Sequence, residues 1–75
     1  MATILPTDTL SLSALRNGRL CVNIVISGCS SMSDVIREMR KIAGNISGLI
    51  SLRLRNITQG WMQNQSVLLR PATAV

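Results

Sequence analysis

Apolar and polar residues begin to alternate at Thr9. Leu10, Leu12 and Ala14 fall on one side of an extended chain, with Thr9, Ser11 and Ser13 on the other. That is the period-2 signature of a half-buried strand. A second alternating run covers residues 20–27, with Leu20, Val22, Ile24 and Ile26 on one side and Cys21, Asn23, Val25 and Ser27 on the other. Arg16-Asn17-Gly18-Arg19 lies between the runs. Asn-Gly in that position is the strongest short hairpin signal, because a two-residue hairpin turn needs positive φ at its centre.

After Gly28 the period changes. Met32, Val35, Ile36, Met39, Ile42, Ala43 and Ile46 recur at helical spacing, which predicts an amphipathic helix. Ser33, Asp34, Arg37, Glu38, Arg40 and Lys41 fall on its outer side. Ser31 and Asp34 have the spacing of a capping box. Arg40 and Lys41 suit the negative end of the helix dipole, and Gly44 with Asn45 ends the helix.

Alternation then returns over residues 49–57, where Ile50, Leu52 and Leu54 are interleaved with Ser51, Arg53 and Arg55. Residues 58–61 read as a turn around Gly60. A last short run over residues 65–70 carries Val67 and Leu69 and stops before Pro71, which has no ladder donor. The expected fold is α+β: a β-β-α-β-β domain with a four-stranded sheet and one helix packed on one face. Residues 1–8 form an N-terminal arm, 9–70 the single domain and 71–75 a C-terminal tail. Strand order does not follow from the pattern.

One helix covers only one face of such a sheet. The second face is then lined by Ser11, Ser13, Cys21, Asn23, Val25, Ser51, Arg53 and Arg55, a polar and basic set. Charge reinforces this picture, because eight basic residues stand against Asp8, Asp34 and Glu38, a net of +5. Seven of the eight are arginine, whose planar fork matches phosphate geometry. Arg53 and Arg55 on the sheet, with Arg16 and Arg19 flanking the hairpin turn, are the candidate nucleic-acid contacts. The bland alternative is a solvated face whose arginines deter edge aggregation. Trp61 is the only aromatic, so contact with a phosphate backbone fits better than base stacking.

Composition adds the expectation of partners. The chain has 75 residues, 47% of them hydrophobic and only 15% charged. A typical domain has about 25% charged residues, and a core this small is marginal alone. A homo-oligomer is therefore expected, through the open face or the sheet edges, with Trp61 and Met62 as candidate interface residues. The competing functional class is a structural or assembly protein within a larger particle. A particle protein facing packaged nucleic acid satisfies both readings.

Catalysis has few ingredients here. With no histidine, no Ser-His or Cys-His nucleophile system exists within one chain. No histidine and two cysteines also leave no set for tetrahedral zinc. Asp34 and Glu38 sit among arginines and suit local pairing. Cys29 precedes the helix, where a positive end lowers a thiol pKa, but the next arginine, Arg37, is eight residues on, unlike the Cys-x5-Arg of cysteine phosphatases. A small enzyme with an interface site around Cys29 is the minor alternative. No enzyme, cofactor, metal or small-molecule substrate is expected. Residues 1–15 lack a signal-peptide pattern and no tract is long enough to span a bilayer, so a cytoplasmic location without membrane partners is expected.

Overall fold

The computed structural model describes residues 3–44 and 46–70. The proposed tail at 71–75, the first two residues of the arm and Asn45 lie outside the described residues. The elements are β1 (Leu10–Arg16), β2 (Arg19–Ile26), α1 (Met32–Ala43), β3 (Gly48–Asn56) and β4 (Trp61–Leu69). They form the expected β-β-α-β-β domain, with all strands antiparallel in one four-stranded sheet of order β2-β1-β3-β4. β1 and β3 are central. The helix carries the chain from edge strand β2 back across β1 to β3.

The β1–β2 turn is the one that Asn-Gly specifies. Asn17 has φ 52° and Gly18 has φ 76°, and paired positive φ values match the twist of the flanking strands. The helix starts where Ser31 Oγ accepts a hydrogen bond from the Asp34 N–H at 3.3 Å. Asp34 Oδ2 reaches back to accept from the backbone N–H and the hydroxyl of Ser30 at 3.0 and 3.1 Å. The Ser30 N–H, then the Ser30 hydroxyl, hold the Asp34 carboxyl below its ordinary pKa, assisted by Arg37. At the other end Gly44 takes φ 64°, and its N–H closes onto the Arg40 carbonyl at 2.9 Å.

Core residues come from one face of each strand and the inner side of α1, with Ile46 added from the link between α1 and β3. Leu10, Leu12, Ala14, Ile50, Leu52, Leu54, Val35 and Met39 are fully buried, and Val22, Ile46 and Leu69 nearly so. The helix backbone approaches β2 most closely. β4 therefore has the thinnest cover on that side, which explains why its core-side positions include Gln63 and the exposed Gln65.

Three details differ from the sequence pattern. The register slips between Ala14 and Leu15, so Ala14 faces Val22 while Leu15 faces Leu20. This bulge makes Cys21 the extra residue and turns Leu20 out of the core, leaving it 59% exposed. One extra residue reverses the side of everything before it, so the alternation that holds from Val22 to Ile26 breaks at Leu20. Second, β4 begins at Trp61, earlier than the run at 65–70, because the short turn at 57–60 delivers the chain straight into pairing with Asn56. Third, Ile42 is 64% exposed, because the packed stripe of the helix runs through Met32, Val35, Ile36, Met39 and Ala43 and leaves Ile42 at its margin.

Candidate functional site

Pairing fixes the open face row by row. Val25, Ser11, Arg55 and Met62 form one row, and Asn23, Ser13, Arg53 and Asn64 the next. Leu20, Leu15, Ser51 and Ser66 follow, and Leu49 with Leu68 closes the far end. Arg53 and Arg55 thus stand side by side on central strand β3, both exposed. Polar side chains flank them: Asn64 Oδ1 accepts from Arg53 Nε at 3.4 Å, and Asn23 Oδ1 accepts from the Ser13 hydroxyl at 3.4 Å. Arg53, Ser51, Asn64 and Ser66 line a shallow groove across this face with Leu15 and Gly18.

Arg16 and Arg19 do not join that pair. They face each other at the closed end of the β1–β2 hairpin, and strand alternation puts them on the helix side. Arg16 there lines a recess with Cys21, Val22, Ala43 and Ile46. The four arginines therefore form two separate pairs.

The acids lie elsewhere. Asp34 pairs with Arg37 at 3.2 Å and Glu38 with Lys41 at 3.0 Å, both along the helix. Asp8 is buried two residues before β1, where its Oδ2 accepts from Asn56 Nδ2 at 2.8 Å, Gln59 Nε2 at 2.6 Å and the Leu5 N–H at 2.9 Å. The Asn56 bond, then the Leu5 N–H, hold the Asp8 carboxyl below its usual pKa against the opposing effect of burial. Among the described residues no carboxylate lies on the open face to compete for Arg53 and Arg55. Nothing in the spacing of Asp8, Asn56 and Gln59 marked them as a group, because they meet only through the pairing of β1 with β3.

The other candidates separate by burial. Cys29 is buried and Cys21 exposed, and both are free thiols. Burial, then the nearby Asp34 and Glu38, push the Cys29 thiol pKa up, opposite to the lowering expected from the helix end. The Asp34 carboxylate that caps the helix brings negative charge close to Cys29 and opposes the positive helix end. Arg40, expected on the outer side, reaches the Arg70 carbonyl, and its Nε is buried without a partner. Of the interface candidates, Trp61 is half-buried against the core and Met62 is exposed on the open face. Among the described residues no three potential metal ligands cluster, and no helix is long and apolar enough to cross a membrane.

Comparison of the chain with protein-family models, curated proteins and solved structures gave no match.

Proposed function

We propose that this domain binds nucleic acid through the phosphate backbone, with Arg53 and Arg55 on the open face of the sheet as the contacts. The observation that carries this reading is the placement of two adjacent, exposed arginines on a face without acids among the described residues. Residues i and i+2 on a strand are about 6.7 Å apart, so each guanidinium reaches a different phosphate oxygen. Ser11, Ser13 and Asn64 supply neutral hydrogen-bonding groups around them. Trp61 lies on the opposite side of the sheet, so base stacking takes no part here and affinity depends little on sequence.

The test is fluorescence anisotropy with labelled duplex and single-stranded oligonucleotides over a salt series. Two phosphate contacts per chain give a log–log salt slope of about −1.8 on duplex. Replacing both Arg53 and Arg55 by serine should abolish that slope, whereas Arg37→Ser on the helix should leave most of it. Binding whose slope ignores the double substitution would refute the assignment to this face.

A further inference from the structure

The two edges of the sheet are unlike. β2 begins on Arg19 and is interrupted by the bulge at Cys21. β4 runs nine residues in unbroken register against β3 and carries no charged side chain and no proline. Charge, proline and bulges are the means by which natural sheets keep an edge from recruiting another strand. β4 has none of them, and its outer row of backbone N–H and C=O groups faces away from β3.

We propose that β4 pairs antiparallel with β4 of a second copy of this chain, about a two-fold axis at Gln65, to join two four-stranded sheets into one. The side chains select this register. Centred on Gln65, the seam sets Met62 opposite Leu68, Asn64 opposite Ser66, and Trp61 opposite Leu69. Met62 and Leu68 are 59% and 75% exposed in the single chain, so the pairing gives each an apolar neighbour on the same face. Shifting the axis by one residue along the strand, which keeps faces matched, sets Met62 opposite Ser66 in one direction and opposite Arg70 in the other. The charges also permit it. Arg70 falls opposite Gly60 of the turn, so no like charges oppose each other directly although each chain carries +5.

The symmetry has a consequence for the open face. An antiparallel pair within one sheet needs its two-fold axis perpendicular to the sheet, which puts both helices on one side and both open faces on the other. The arginines of the two copies then form a diagonal line, Arg55 and Arg53 of one followed by Arg53 and Arg55 of the other. With strands about 4.8 Å apart and residues about 3.4 Å apart, the two Arg53 Cα atoms stand about 16 Å from each other. Pairing through this edge strand needs no nucleic acid.

Sedimentation velocity of the protein alone, from low to high micromolar, is the test. The expected result is reversible doubling of the mass. Gln65 is exposed, so Gln65→Lys and Gln65→Glu should each fold with unchanged circular dichroism. Each places like charges opposite one another at the axis and should shift the monomer–dimer midpoint several-fold to higher concentration, while their equimolar mixture should restore dimers. A wild-type chain that stays monomeric throughout would overturn the proposal. So would a dimer indifferent to both substitutions. Because the readout contains no nucleic acid, and Arg53→Ser with Arg55→Ser should leave the dimer intact, failure here is distinct from failure of phosphate binding.

Discussion

Replacing Asn56 with alanine strikes the junction that ties the start of the sheet to the β3–β4 turn. The Asn56 side chain is fully buried. It donates to Asp8 and accepts from the Gln59 N–H at 2.8 Å. Losing one charge-assisted and one neutral hydrogen bond costs about 3 kcal/mol, from roughly 1.5–3 for the first and 0.5–1.5 for the second. A chain of 75 residues has a total stability of about 4–11 kcal/mol, so Asn56→Ala should remove a large part of it. At about 4–8 °C per kcal/mol for a domain of this size, Tm falls by about 12–24 °C. Urea unfolding followed by circular dichroism measures the loss, with Asn64→Ala at an exposed strand position as the control, expected within about 0.5 kcal/mol of wild type. The loss should also depend on pH. Folding lowers the Asp8 pKa, so its contribution is full above the unfolded value near 3.8 and is lost as pH falls through the folded value. Asn56 is the largest cause of that lowering, so the gap between wild type and variant should narrow below about pH 4. A gap under about 0.5 kcal/mol at neutral pH, or one that widens on acidification, would refute the account of this network.

Two further outcomes test the bulge and the thiols. Val22→Ser, at a nearly buried position, should destabilise by about 2 kcal/mol, while Leu20→Ser at its exposed neighbour should cost under about 0.5; equal costs would mean that the strand is unbulged. Under native conditions a thiol reagent should modify Cys21 rapidly and Cys29 only at the rate of unfolding, and equal rates would contradict the burial of Cys29.

Most of the architecture was legible in the sequence because it follows from local rules. Asn17-Gly18 determined a two-residue hairpin, since only such residues take paired positive φ readily. Ser31, Asp34 and Gly44 marked both ends of a helix whose apolar period left no strand alternative. The alternation in β3 placed Arg53 and Arg55 together on one face, because a strand allows no other arrangement of residues two apart. Tertiary structure decided what depends on pairing between distant segments. The order β2-β1-β3-β4 made β4 an edge, brought Asn56 to Asp8, and set Ser11 and Ser13 beside the arginines. The bulge at Cys21 sent Leu20 outward and Arg19 to the helix side, where alternation along β1 already put Arg16, so both stand apart from Arg53 and Arg55. Pattern along the chain fixes which side of its own strand a residue takes, but register with a neighbour fixes what that residue meets.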